Sequence, residues 1–337
     1  MKNMILLCLV PILFSWNIIS AQNSKPAEYT SVAEISRDEV VNRDFLIQGE
    51  YFSEDNGTVF SVNLVAEGNG QFRVVVFPGG FPGDGWNRGD ERILGKAVLN
   101  DSGDLIATLN EIPDPLTVKI DKTKAILSTV FEDQTYSFNR IQRQSPTQGQ
   151  SAPEGAVVLF ADGKASELFE RAAVNKEAKT LWAEARTKPF EKRPYLLHIE
   201  FMLSYMPFAK GQGRSNSGVY IDERYECQIL DSFGLDGKNN ECGGFYQQAE
   251  PKVNMCFPPL QWQTYDIDYT PAVFGADGKK TVNAIITVKH NGIVIHDAVK
   301  LAKETPGCKK EGVEANGLYL QGHGNKVQFR NIWLKYQ

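Results

Sequence analysis

From Tyr195 to Tyr336 the chain alternates apolar and polar residues with period two, run after run, which restricts it to stacked β-strands. LLHIEFML (196–203), GVYID (218–222), RYECQILD (224–231), WQTYDIDYT (262–270), VNAIITVKH (282–290), GIVIH (292–296), LYLQGH (318–323) and VQFRNIWLKY (327–336) all follow this pattern. Asn291-Gly292 lies between two of these runs and is a strong hairpin signal. Many antiparallel strands with little helix predict an all-β, two-sheet sandwich or jelly roll.

Sorting the runs by parity separates their two faces. Leu197, Ile199, Phe201 and Leu203 oppose His198 and Glu200; Tyr225, Cys227 and Ile229 oppose Glu226 and Gln228; Leu318 and Leu320 oppose Tyr319, Gln321 and His323. Solvent faces of strands normally carry Thr, Asn and Lys, as Thr281, Asn283, Thr287 and Lys289 do. Imidazole, carboxylate, amide and phenol on three strands read as a polar groove built for hydrogen bonding, although each residue alone also reads as a satisfied surface group. Glu226 and Gln228 lie ~7 Å apart along one face and neighbouring strands ~4.8 Å away. Glu200 or His198 is therefore expected to approach Glu226 if their strands are neighbours. His290 and His296 flank the hairpin and read as structural, Trp262 as a core residue, and Arg330 as either a groove residue or half of an ion pair.

Ahead of this half, residues 22–142 contain short β-rich runs (44–49, 58–66, 72–77, 105–109, 116–120, 125–129) punctuated by Gly, Asn and Asp, which predict a smaller β-rich domain. FPGGFPGDGWN (77–87) cannot continue a strand; it reads as a loop packing its own aromatics, or as a sugar platform using Phe81 and Trp86. Residues 143–152 have linker composition, and 153–337 form the second domain. SELFERAAVNKEAKTLWAEA (166–185) favours helix by composition but lacks helical periodicity.

Met1–Ala21 reads as a secretory signal peptide: Lys2, the apolar run ILLCLVPILF, then Ile19-Ser20-Ala21. Cleavage near Ala21 predicts a periplasmic or secreted protein, and Cys8 lies too early to carry a lipid anchor. No other run approaches the ~18 apolar residues of a membrane span. Losing Lys2 takes the net charge from -5 to -6, and there is no basic stripe, which argues against a nucleic-acid partner. The four remaining cysteines, Cys227, Cys242, Cys256 and Cys308, read as disulfides in an exported chain, or as four buried thiols. Cys242–Cys256 is the expected pair, since it would close a Gly-rich loop of ~15 residues.

NSGVY (216–220), RYECQILDSFG (224–234), ECGGFY (241–246), VNMCFPPLQWQTYDIDY (253–269), HNGIVIH (290–296), LYLQGHGNKVQFRNIW (318–333) and LHIEF (197–201) closely resemble the 3-keto-disaccharide hydrolase domain family of exported bacterial proteins. The resemblance spans about 153–337. It implies a concanavalin-A-like jelly roll with a sugar site on one sheet, and mostly strand and loop for 166–190. Glu226-x-Gln228-x-x-Asp231 is similar to the Glu-x-Asp-x-x-Glu strand of laminarinase-type glucanases. Gln228 replaces the middle carboxylate, which weakens ordinary double displacement between two carboxyl groups.

The family implies a different chemistry, in which a ketone at C3 acidifies the C2 hydrogen. A base removes that proton and the C1 group leaves by elimination, with or without rehydration. On this reading Glu226, His198 and His323 are the candidate catalytic residues. Glu200, Tyr220, Gln228, Tyr319, Gln321 and Arg330 are the candidate substrate-binding residues, and Glu226 with His198 would hold a divalent metal ion. A non-catalytic, lectin-like carbohydrate binder and a conventional glycoside hydrolase are the alternatives.

Overall fold

The computed structural model describes residues 25–337 apart from Asn56 and Lys122, so the expected signal peptide and Cys8 lie outside the described residues. Eight antiparallel strands close a barrel: Gly49–Asp55, Thr58–Gly68, Gln71–Pro78, Ile93–Leu99, Leu105–Leu109, Leu116–Asp121, Ile126–Phe131 and Gln134–Ile141, the last pairing back onto the first. Inward Val62, Leu64, Phe72, Val74, Ala97, Leu105, Ala107 and Leu127 fill it. Closure removes the exposed edges that an open sheet of this size would present.

The run at 44–49, expected as strand, is instead the end of a helix, Glu39–Ile47. Asp38 caps it by accepting from the Val41 N–H at 3.1 Å, and Val41, Asp44 and Ile47 turn inward at three-residue spacing. Buried Asp44 accepts from the Gly70 N–H at 2.8 Å, fixing the helix to the barrel. In the 77–87 loop Trp86 packs edge-on against Phe77 at 5.1 Å, and its Nε1–H donates to the Glu91 carbonyl. Phe81 lies beneath the Arg143 guanidinium, so both aromatics are buried rather than open to a sugar.

The rest of the chain forms a sandwich. One sheet runs in the order Lys164–Ala165, Val157–Ala161, Gln328–Tyr336, Tyr195–Met202, Trp262–Thr270, Ala284–His290, Ile293–Leu301. The other has five strands: Phe169–Arg171, Ala185–Thr187, Tyr319–Leu320, Ser217–Ile221, Tyr225–Ile229. Residues 166–185 contribute only short strands, because apolar and aromatic positions there pair with existing sheets (Leu181 opposite Phe329, Trp182 opposite Gln328) while no apolar helical stripe exists. The interlayer core brings Leu197, Ile199, Phe201 and Tyr265 against Val219, Cys227, Ile229 and Leu320.

Two features join barrel and sandwich more tightly than a flexible connection would. Val75, Phe77 and Trp86 of the barrel belong to the sandwich core, and Tyr205 of the sandwich belongs to the barrel core. The stretch expected as a linker is a strap laid on the long-stranded sheet. Arg143 pairs with buried Glu50 at 2.6 Å, Ser145 Oγ meets Thr264 Oγ1 at 2.6 Å, and Thr147 Oγ1 donates to Asp266 at 2.7 Å. Its Ser, Thr, Gln and Gly content looks like solvated chain, but Ser145, Thr147 and Gly149 each bond to the sheet.

All four cysteines are free thiols. Cys227, Cys242 and Cys256 are buried, and the Cys242 thiol lies 3.2 Å from the Tyr265 hydroxyl. The expected Cys242–Cys256 bridge is thus absent; a sandwich with a core of this size needs no covalent staple.

Candidate active site

Residues directly opposite one another in a sheet share a face. Across the five-stranded sheet the register runs Glu226 opposite Tyr220, Tyr220 opposite Tyr319, Tyr319 opposite Arg186, and Arg186 opposite Arg171. Carboxylate, two phenols and two guanidinium groups therefore form one row on the face turned away from the core. The adjoining row holds Gln228 opposite Gly218, with the Gln321 N–H donating to the Gly218 carbonyl at 2.9 Å. Tyr220 and Tyr319 meet edge-on at 5.3 Å, and Arg186 covers the Tyr319 ring at 4.7 Å. Sequence parity thus brings Glu226, Tyr220, Gln228, Tyr319 and Gln321 together, and His323 follows as an exposed residue two positions beyond Gln321.

Glu226 lies against Gly218 so closely that a Cβ there would fall 2.5 Å from Glu226 Oε1. Only glycine leaves room for this carboxylate. The Gln228 amide adopts the orientation in which its nitrogen donates to Glu226 Oε1 at 2.9 Å and to the Ser217 carbonyl at 3.1 Å. Tyr220, directly opposite Glu226 in the sheet, pulls the pKa of this carboxyl down and accepts from Gln321 Nε2 at 2.7 Å. The Glu226 backbone N–H donates to Thr305 Oγ1 at 3.1 Å. Burial without a cationic partner is the dominant influence and lifts the Glu226 carboxyl to about 7 against the smaller downward pull of Tyr220, a pull to which the Gln228 amide adds by donating to the ionised form. A carboxylate and an amide two residues apart thus make one hydrogen-bonded unit.

His198, Glu200 and Arg330 lie elsewhere. They are on the outer face of the long-stranded sheet, on the opposite side of the sandwich from Glu226. A β-bulge between His198 and Glu200 sets an extra residue in the facing strand, so Arg330, Asn331 and Trp333 all reach this side. His198 Nδ1 meets Asp266 at 2.6 Å and its ring stacks on Trp333. Glu200 accepts from Arg330 at 2.7 Å, from Asn331 at 2.8 Å and from the Gly149 N–H of the strap at 2.5 Å. Despite burial, these donors and His198 hold Glu200 down at about 2. Arg330 also covers Trp262 at 4.0 Å, so Trp262 is half-buried under a cation rather than in the core. His198 and Glu200 are fully buried, with the strap laid over them through Gly149. Glu226 and His198 cannot share a metal ion, and among the described residues no three His, Cys, Asp or Glu side chains converge as a ligand set.

A family model, the 3-keto-alpha-glucoside-1,2-lyase-like domain, matches residues 136–335. The chain belongs to this family. Membership places it among carbohydrate-active enzymes. Two solved structures from Parabacteroides distasonis ATCC 8503 are similar to it, both candidate glycosyl hydrolases. One is 28% identical with a TM-score of 0.49, covering 55% of this chain and 85% of its own. The other is 17% identical with a TM-score of 0.39, covering 55% of this chain and 94% of its own. No curated protein matches the chain.

The 3-keto-alpha-glucoside-1,2-lyase-like domain begins inside the last barrel strand and includes the strap. Its site is walled by residues that period-two reading does not find. Gln212, on the short helix Gly211–Gly213, contacts the Gln228 amide and donates to the Asn240 carbonyl at 2.7 Å. Gly243 and Gly244 bracket the Gln228 backbone with two 2.9 Å bonds, extending the sheet by one irregular strand. Asp231, the third acid of the glucanase-like spacing, is buried on Arg214 at 2.6 Å instead. Sequence assigns Tyr319 only to a face and does not single out Arg186. The turn residues Gln212, Asn240 and Thr305 carry no periodic signal.

Proposed function

We propose that the protein is an exported enzyme that cleaves the glycosidic bond of 3-keto-glycosides and 3-keto-disaccharides, with Glu226 as general base. The single observation that carries this reading is the environment of Glu226: a buried carboxylate with no cation beside it, held by Tyr220 and Gln228 and tuned to about 7. A base for a hydrogen next to a ketone must be ionised at neutral pH yet basic enough to take a carbon-bound proton. Glu226 removes H2, the electron pair forms the enolate toward C3, the C1–O bond breaks, and the leaving oxygen takes a proton. Water adding at C1, with reprotonation at C2, completes a net hydrolysis.

Gln228 and the Gln321–Tyr220 pair orient the sugar hydroxyls and the base. His323 is the exposed proton-transfer candidate on this side. The row contains one carboxyl group, and Gln228 and ion-paired Asp231 offer no second, so this reading is favoured over double displacement. Met1–Ala21 supports export.

Turnover of a 3-keto-glucoside is expected to rise with pH through about 7 as Glu226 ionises. An initial-rate profile from pH 5 to 9 checks this. A rising limb near the ordinary carboxylate value would remove Glu226 as the base.

A further inference from the structure

The two loops that wall the Glu226–Gln228 site rest on the barrel. In the loop after the Glu226 strand, Phe233 offers its carbonyl to Arg73, and Gly234 packs so closely on Val65 that a Cβ would come within 2.8 Å of it. Arg92 pairs with Asp236 at 2.5 Å. Arg88 donates to the carbonyls of Asp236, at 3.1 Å, and Gly237, and pairs with Glu250 at 3.1 Å. Gly237 in turn donates to Glu241 at 2.6 Å, which ties the turn that presents Asn240 and Gly243 to Gln228. The second loop carries Gln212 between two barrel contacts: Phe208 lies over Gly68, and Arg214 donates to the Ala66 carbonyl at 3.2 Å.

We infer that the barrel is a positioning element of the sugar site, acting chiefly through Arg88 and Arg92 on the Asp236–Gly237 turn. This rests on the reading of the Glu226 face as the site, and it assigns the barrel to that site rather than to a separate accessory role. A loop with four glycines and an Asn-Asn turn has many conformations of similar energy. Two guanidinium groups on its carbonyls and carboxylate select one of them, which lowers the ordering cost of binding. Neither arginine touches the sugar face, so the effect should appear in substrate binding rather than in the proton-transfer step.

The test is the full-length Arg88→Ala/Arg92→Ala protein. We expect KM for a 3-keto-disaccharide to rise about tenfold with kcat within about threefold of the parent. Hydrogen exchange should accelerate in peptides covering 235–246 while barrel peptides keep their protection. Arg88→Lys/Arg92→Lys should recover part of the KM change, and Lys119→Ala, on an exposed barrel pair with Asp104, should change neither readout. Unchanged exchange at 235–246, or faster exchange spread equally over the barrel, would overturn the inference. If the parent protein cleaves no 3-keto-disaccharide, the function proposed above fails, and the exchange pattern alone still decides the clamp.

Discussion

Glu226→Gln lowers turnover on a 3-keto-glucoside by at least ~10²-fold, the usual loss on removing a general base, and the variant melts higher than the parent at pH 8. Both effects have one cause. The folded carboxyl ionises at about 7 because burial withholds water from its charge; the unfolded group ionises near the ordinary carboxylate value. Between those two pKa values the folded state binds more protons than the unfolded state, so stability falls as pH rises through that window. Above it the native protein carries the full penalty of a carboxyl raised from 4.5 to about 7, on the order of 3 kcal/mol. The isosteric amide keeps the Tyr220 contact and carries no charge. The melting advantage should shrink to nothing near pH 4. His198→Ala is the comparator: it opens a satisfied, strap-covered cluster and lowers the melting temperature, while the folded fraction keeps its turnover.

Asp231→Ala is expected to cost about 3 to 5 kcal/mol, enough to leave a large fraction unfolded at 37 °C. Arg214 is buried, and Asp231 is its charge partner at 2.6 Å. Removing the carboxylate strands a guanidinium between the two units, where its remaining hydrogen bond is to the Ala66 carbonyl of the barrel. Denaturant melts measure the loss. The paired replacement Arg214→Met with Asp231→Leu should recover much of it, because a buried ion pair exchanged for apolar volume is often close to neutral. A mild loss in Asp231→Ala, with turnover abolished, would return Asp231 to the catalytic face.

Period two identified the strands and divided Glu226, Gln228 and Tyr319 from Cys227 and Leu320, because a strand's two faces are fixed by its backbone. Parity is blind to which side of a sandwich an outward face meets. His198 and Glu200 share the polar character of Glu226, yet their strand pairs with Asp266 and Arg330 in the other sheet. Composition misjudged residues 143–152, since Ser145, Thr147 and Gly149 are polar enough for a linker and also suited to satisfying a buried acid and its neighbours. It misjudged 44–49 because the Asp38 cap and the first inward residue of the helix, Val41, lie upstream of that run. Gln212 and Asn240 sit in turns, where position depends on long-range packing against the barrel.

On the function proposed above, the Glu226 face removes a proton from C2 of a 3-keto sugar. The most direct measurement is to incubate the protein in D2O with a 3-keto-disaccharide and, separately, with its unoxidised parent, and to follow both sets of products by mass spectrometry and NMR. The account predicts cleavage of the ketone alone, with deuterium at C2 of the rehydrated 3-keto-glucose, and loss of both cleavage and label in Glu226→Gln. Cleavage of the parent sugar, or of the ketone with protium retained at C2, would contradict it.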